Sequence, residues 1–179
     1  ADVLCVGEGE VTVLEIAEYF RGERAKNDMK GVCWIEDGKL VQTPHQEFIP
    51  DLDTLPFPDR TKVDINNYYD YYIYNMRVPY VTMMASRGCA YQCSFCTSHD
   101  VWRRKVRTRS PENVVAEIDH LVLNYGVKYI SFQDDIFGPN KKWLRTFTTL
   151  LKSRNHDLNW MCILHPLSLR KDREEVLDM

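Results

Sequence analysis

From residue 80 onward, apolar segments of strand length alternate with segments whose apolar residues recur at helical spacing. Strands are predicted at Val81–Ala85, Tyr129–Phe132 and Trp160–Leu164. Strand-then-helix units in succession imply parallel strands joined by right-handed crossovers, with the carboxyl ends of all strands at one rim. Chemistry in such sheets lies at that rim. The apolar helical positions are Val114, Val115, Ile118, Leu121, Val122 and Tyr125 in the first helix, and Trp143, Leu144, Phe147, Leu150 and Leu151 in the second.

The helix boundaries carry recognisable capping residues. Ser110-Pro111-Glu112 combines a hydroxyl N-cap, a proline at the first helical position and a carboxylate at the positive end of the helix dipole. Gly126 is expected to end this helix, and Asn140 to cap the next one. Asp172 with Glu175 predicts the start of a third helix.

The chain before residue 80 is less regular. Val3–Val6 is predicted as the end of a buried strand, and Val11–Arg21 as a helix. Val32–Glu36 and Lys39–Val41 are predicted as a hairpin joined by Asp37-Gly38. Residues 43–80 contain prolines and a tyrosine-rich stretch, and are predicted as a linker whose rings pack on a neighbouring domain.

Composition narrows the class of protein. Hydrophobic residues make up 44% and charged residues 27% of 179 residues, as in ordinary globular domains. A net charge of −3 offers no bulk attraction to nucleic acid or to an anionic membrane, and neither is an expected partner. No apolar run approaches the length of a membrane span and no secretory signal is evident, so a reducing cytoplasm is the expected location.

Cys89, Cys93 and Cys96 are the main candidates for metal ligands, because three thiols fall within one short loop after the first predicted strand. A disulfide would leave one of the three unused. A zinc site normally needs four ligands, and the only nearby fourth candidate is His99. Three unrelated buried thiols at this spacing would be a coincidence. An iron–sulfur cluster suits thiolates best and permits fewer protein ligands than iron atoms.

The spacing Cys89-x-x-x-Cys93-x-Phe95-Cys96 after the first strand resembles the signature of the radical S-adenosylmethionine superfamily. The resemblance implies that the three cysteines hold a 4Fe–4S cluster, whose fourth iron binds the amino and carboxylate groups of S-adenosylmethionine. It also implies that Phe95 lies near the adenine; a ring that shields the cluster from water is a compatible alternative. Gln133-Asp134-Asp135 stands where the family usually carries Gly-Gly-Glu, so Asp134 or Asp135 is expected to bind the cofactor's amino group.

A second resemblance concerns the subclass. Gly7-Glu8-Gly9-Glu10, the segment Leu52–Arg60 and Ser86-Arg87-Gly88-Cys89 resemble enzymes in which a cobalamin-binding domain precedes the radical barrel, including anaerobic magnesium-protoporphyrin monomethyl ester cyclases and cobalamin-dependent methyltransferases. The implied fold class is α/β: a partial barrel with about three of roughly six βα units, after a linker and the tail of a cobalamin-binding Rossmann-like domain. The implied domains are 1–22, 23–79 and 80–179.

The expected chemistry is reductive cleavage of S-adenosylmethionine to a 5′-deoxyadenosyl radical, used for methyl transfer or oxidative cyclisation of a small-molecule substrate. Expected cofactors are the 4Fe–4S cluster, S-adenosylmethionine and cobalamin, with flavodoxin or ferredoxin as electron donor. The chain opens without Met and closes within a predicted helix, so it is expected to be a fragment that is inactive alone. No catalytic acid or base is identifiable.

Two alternatives stay open at this point: a tRNA methylthiotransferase-like member of the same superfamily, and a non-catalytic iron–sulfur or zinc module. The basic run after the cysteines is predicted as a solvated loop rather than a nucleic-acid contact. Cys5, Cys33 and Cys162 are predicted as small buried residues, whereas His45 and His165 have no partner at ligand spacing. The basic run comprises Arg103, Arg104, Lys105, Arg107 and Arg109.

Overall fold

The computed structural model describes residues 2–67, 79–138 and 140–165. The chain divides into two compact units, Ala1–Pro50 and Asp51–Met179. The tyrosine-rich stretch from residue 68 and the helix predicted from Asp172 lie outside the described residues.

The first unit is a small antiparallel sheet with one helix. It contains β1 (Leu4–Cys5), α1 (Gly9–Phe20), β2 (Val32–Glu36) and β3 (Lys39–Gln42), with strand order β1-β2-β3. Positive φ angles at Asp37 (50°) and Gly38 (73°) give the tight turn that joins β2 to β3, so the predicted hairpin is confirmed. Met29, Val32 and Trp34 form its buried core.

Two predictions for the first unit are wrong. The run at Val3–Val6 is not a buried strand end, because β1 is short and Leu4 is 54% exposed. Among the described residues β1 pairs only with β2, so one side of it has no neighbouring strand. Cys5 is consequently exposed, whereas Cys33 on the central strand is buried as predicted. The domain boundaries at residues 22 and 79 stay predictions.

The second unit is built on a parallel sheet. Its elements in chain order are β4 (Tyr80–Met83), β5 (Ser86–Arg87), α2 (Ser98–Trp102), β6 (Arg107–Thr108), α3 (Pro111–Tyr125), β7 (Tyr129–Phe132), α4 (Lys141–Arg154) and β8 (Asn159–Met161). Strands β4, β7 and β8 are parallel neighbours in that order, which confirms the predicted parallel βα arrangement. The antiparallel ribbon of β5 and β6 was not predicted.

The strand ends differ from the prediction. β4 ends at Met83 rather than Ala85, because Ala85 turns away to bond with Arg109 and Asp134. β8 covers Asn159–Met161 rather than the predicted Trp160–Leu164. Cys162 therefore follows the strand and is only half-buried, and burial raises the pKa of its thiol to about 11.

The predicted caps are confirmed. The Ser110 hydroxyl accepts from the Asn113 amide, Gly126 adopts a left-handed φ of 64°, and Asn140 Oδ1 accepts from the Trp143 amide. Helices α3 and α4 pack their apolar faces into one core that covers the sheet. None of the helices within the described ranges has the length and apolar character needed to cross a membrane. The central rings of this core are Phe132, Phe137, Trp143 and Phe147.

Candidate functional site

The cysteine loop and the segment after β7 lie together at the carboxyl edge of the parallel sheet. The cysteine loop is defined here as residues 89–96, which follow β5, and the helix α2 begins just after it. The Ser98 hydroxyl on α2 donates to Asp135 Oδ2 at 2.8 Å. Asp134 accepts from the backbone just before β5. The common rim expected from strand order is therefore present.

All three thiols of the cysteine loop are half-buried, and two of them accept backbone hydrogen bonds. The Tyr91 amide donates to Cys89 Sγ at 3.4 Å, and the Ser98 amide donates to Cys96 Sγ at 3.5 Å. The Cys96 amide donates to the Cys93 carbonyl at 3.1 Å and closes a turn between these two residues. Hydrogen bonds to the sulfur ligands of a cluster tune its reduction potential. A soft donor set with this support fits an iron–sulfur cluster.

The three sulfur atoms do not form a ready-made site for one metal ion. Within the described ranges, no three His, Cys, Asp or Glu side chains are grouped so that they could hold a single ion. In a cluster, each thiolate binds a different iron, so its sulfur atoms stand farther apart than the ligands of one ion. Convergence of the thiols toward a common cluster stays a prediction.

Gly88, directly before the first cysteine, is required by the backbone around it. Its φ is +92°, and a Cβ atom there would lie 2.1 Å from the Lys105 carbonyl oxygen. The close approach arises because β5 pairs with β6, where Arg87 faces Arg107. Only glycine therefore fits at position 88, where the chain passes from the ribbon into the cysteine loop.

Phe95 is 89% exposed although it lies between two half-buried cysteines. When a flat ligand covers an exposed phenyl ring, apolar surface is removed from water and the free energy falls. The exposed ring is accessible to a ligand, and its contact with adenine stays a prediction.

The three candidate residues after β7 have different environments. Gln133 is exposed; its amide extends the ladder to the Met83 carbonyl, and its side chain donates to Ser131. Asp134 is 1% exposed, and burial raises the pKa of its carboxyl group. Asp135 is exposed and accepts from Ser98. Among these three, Asp135 offers an accessible carboxylate.

Arg109 corrects part of the prediction for the basic run. Its guanidinium pairs with Glu117 at 2.5 Å and bonds to the Met84 carbonyl at 3.0 Å, and both side chains of the pair are largely buried. Arg103, Arg104 and Lys105 are exposed, as a solvated loop requires. Arg109 is instead a structural residue.

A ring contact at the rim was not predicted. His165 stacks on Tyr91 of the cysteine loop, with ring centroids 3.7 Å apart and planes 10° from parallel. The segment after β8 therefore reaches the cysteine loop. No spacing rule predicts a contact between residues 74 positions apart. His99, the nearby candidate for a fourth ligand, has its imidazole 3.3 Å from the Asp100 carboxylate.

The second unit is therefore an α/β domain whose parallel sheet carries three thiols, an exposed aromatic ring and a carboxylate near its carboxyl edge. A model of the radical SAM superfamily matches residues 83–178, more than half of the chain. The chain belongs to the radical SAM superfamily, a family of enzymes that use a 4Fe–4S cluster and S-adenosylmethionine.

Similar proteins include methyltransferases and cyclases. An uncharacterized methyltransferase of Pyrococcus horikoshii is 31% identical over 89% of this chain and 34% of its own length. An anaerobic magnesium-protoporphyrin IX monomethyl ester cyclase of Cereibacter sphaeroides is 28% identical over 97% of this chain and 28% of its own. The chain thus spans about a third of the curated relatives it matches.

Among solved structures, the cobalamin-dependent S-adenosylmethionine radical enzyme OxsB, with aqua-cobalamin and S-adenosylmethionine bound, superposes with a TM-score of 0.66. Its identity is 18%, and the match covers 88% of this chain and 22% of that chain. At this identity the likeness concerns the fold.

Proposed function

We propose that this chain carries the cluster-binding and part of the cofactor-binding surface of a cobalamin-type radical SAM enzyme. The observation that carries the proposal is the placement of Cys89, Cys93 and Cys96 in one loop at the carboxyl edge of the parallel sheet, beside Phe95 and Asp135. Bound at this edge, a reduced cluster supplies the electron that cleaves S-adenosylmethionine to methionine and a 5′-deoxyadenosyl radical.

The roles of this chain's residues follow from their environments. Cys89, Cys93 and Cys96 act as thiolate ligands, and the Tyr91 and Ser98 amides donate to the sulfur atoms of Cys89 and Cys96. Phe95 covers one face of the adenine with its exposed ring. Asp135 accepts from the ammonium group of the methionine moiety, because its carboxylate is accessible while that of Asp134 is enclosed. Gln133 lines the same edge.

The proposal also extends to the type of reaction. The methyltransferase and cyclase relatives favour methyl transfer or oxidative cyclisation of a small molecule, with cobalamin as a third cofactor of the full-length gene product. A flavodoxin or ferredoxin would supply the electron. The partial barrel of the second unit provides the surface for cluster and cofactor.

The test is anaerobic reconstitution of the full-length gene product that contains this chain. With iron and sulfide, a brown chromophore that bleaches with dithionite is expected, together with production of 5′-deoxyadenosine from S-adenosylmethionine. Cys93→Ala should abolish both, because a missing thiolate leaves one iron without its protein ligand. Cys162→Ala is the matched control, since this thiol lies outside the cysteine loop and should leave both signals unchanged.

Three results would contradict the proposal. One is a colourless protein that binds one zinc ion per chain, which would favour the structural module. Another is a wild-type chromophore that survives the Cys93→Ala change. The third is a bleachable cluster with no 5′-deoxyadenosine formed in the presence of reductant.

A further inference from the structure

Three residues shortly before the cysteine loop are held by hydrogen bonds from two sides. These residues, Met84–Ser86, are called here the root of the cysteine loop. Ala85 and Ser86 are almost completely buried, with 1% and 2% of their surface exposed. The root connects the end of β4 to the ribbon strand β5, so its direction decides where the chain enters the cysteine loop.

On one side of the root stands Asp134. Both of its carboxylate oxygens lie 3.1 Å from the Ala85 amide, and Oδ1 accepts from the Ser86 hydroxyl at 2.5 Å. The Ser86 hydroxyl also lies 3.3 Å from the Ile136 carbonyl. A buried carboxylate is costly unless it is hydrogen-bonded, and here its bonds go to the root.

On the other side stands Arg109. Its amide donates to the Ala85 carbonyl at 2.8 Å, and its guanidinium donates to the Met84 carbonyl at 3.0 Å. The Arg109 carbonyl in turn accepts from the Trp143 indole at 2.8 Å, which ties this side to the core helix α4. Ala85 therefore has its amide bound from β7's side and its carbonyl bound from β6's side.

From this arrangement we infer that Asp134 is a positioning residue for the cluster: its carboxylate fixes the root, and the root fixes the thiols. The inference rests on the proposed function, and it gives Asp134 a different role from the accessible Asp135. The hydrogen bonds of the Asp134 side chain go to Ala85 and Ser86. It acts through Ala85 and Ser86, which lie four and three positions before Cys89.

The side-chain chemistry separates hydrogen bonding from charge. Asparagine at position 134 keeps one oxygen for the Ala85 amide, and its own amide can donate to Ser86, whose proton then turns to the Ile136 carbonyl. Alanine leaves the buried Ala85 amide without an acceptor. The anchor should therefore fail in Asp134→Ala and be largely rescued in Asp134→Asn.

The experiment compares these two variants in the anaerobically reconstituted full-length gene product. Asp134→Ala should lower cluster affinity about tenfold, as loss of an outer-shell partner does at metal sites, and broaden the electron paramagnetic resonance signal of the reduced cluster. Asp134→Asn should stay near wild type, and Ser86→Ala should fall between them. In the protein without iron, the Ala85 amide of Asp134→Ala should exchange with deuterium faster, while α4 is unchanged.

Ile118→Ala is the matched control, because Ile118 is fully buried on α3 and its apolar side chain forms no hydrogen bond with the root. It should lower the melting temperature without changing the resonance signal. The inference is overturned if Asp134→Ala or Ser86→Ala binds iron as wild type does, or if Asp134→Asn is as defective as Asp134→Ala. It is also overturned if Ile118→Ala, with the same melting temperature as Asp134→Ala, loses the cluster to the same extent. Wild-type protein that takes up no cluster overturns the proposed function itself, and this inference with it.

Discussion

The root of the cysteine loop and the cysteine loop itself differ in how the chain holds them. At the root, Ala85 has both backbone groups bonded, and neighbouring Ser86 is buried against Asp134. In the cysteine loop the thiols are half-buried, the bonds to sulfur are long, and Phe95 points into solvent. A root bonded from two sides thus precedes a segment of half-buried thiols. This division predicts large effects on stability from substitutions at the root and at the residues that bond to it, and small effects at exposed residues of the cysteine loop.

Among changes at the root and the cysteine loop, Gly88→Ala should have the largest effect on stability. The new Cβ would lie 2.1 Å from the Lys105 carbonyl oxygen at a φ of +92°, so the ribbon must open. We expect a loss of about 3 kcal/mol or more in the free energy of unfolding, measured with urea. Gly126→Ala is the control: its φ is also positive but its Cβ position is open, so about 1 kcal/mol is expected. Equal losses would show that the ribbon is not tight.

Arg109→Met should follow. It leaves the Glu117 carboxylate buried without its partner and removes the bond to the Met84 carbonyl. Breaking a buried pair from one side costs about 3 kcal/mol. The double variant Arg109→Met, Glu117→Leu should recover at least part of this loss, because no unpaired charge remains. If the double variant is less stable than the single one in urea unfolding, the pair is not what holds this side of the root.

The pH dependence of stability should reveal Asp134. Burial raises the pKa of this carboxyl group in the folded chain, so the folded state holds the proton more tightly than the unfolded state does. The resulting stabilisation is complete below the unfolded pKa and is lost as the pH rises through the folded pKa. Wild type should therefore gain stability relative to Asp134→Asn as the pH falls from about 7 to about 4. If the urea midpoints of wild type and Asp134→Asn change in parallel across this pH range, the expectation is contradicted.

Phe95→Ala should have the smallest effect. The ring is 89% exposed, so its removal from the protein without cofactors should change the free energy of unfolding by less than about 0.5 kcal/mol. Phe132→Ala, at a ring 1% exposed in the core, should cost about 4 kcal/mol by comparison. A large effect at Phe95 would mean that the ring supports the cysteine loop rather than awaiting a ligand.

Local patterns predicted much of this architecture. The parallel strands, the caps at Ser110 and Asn140, and the turn at Asp37-Gly38 depend on neighbours along the chain, so they were visible in the sequence. The spacing of the three cysteines is also a local pattern, and the cluster site that it predicts stays a prediction. The ribbon of β5 and β6 was not visible, because two-residue strands carry no periodicity.

What the sequence could not distinguish depends on contacts far apart in the chain. Asp134 and Asp135 are chemically identical, and only the approach of Ala85 and Ser86 makes one of them an enclosed anchor. The buried pairing of Arg109 was hidden in a run of basic residues. The need for glycine at position 88 arises from Lys105, which lies on the opposite side of the ribbon.

The half-burial of the three thiols has a practical consequence for anyone who purifies this protein. Solvent reaches them, so dissolved oxidants can convert them stepwise to sulfenic acid or disulfide and then to sulfinic acid. A reducing agent reverses the first stage but not the last. Preparations handled in air should accordingly lose their capacity for iron gradually and, after long exposure, permanently.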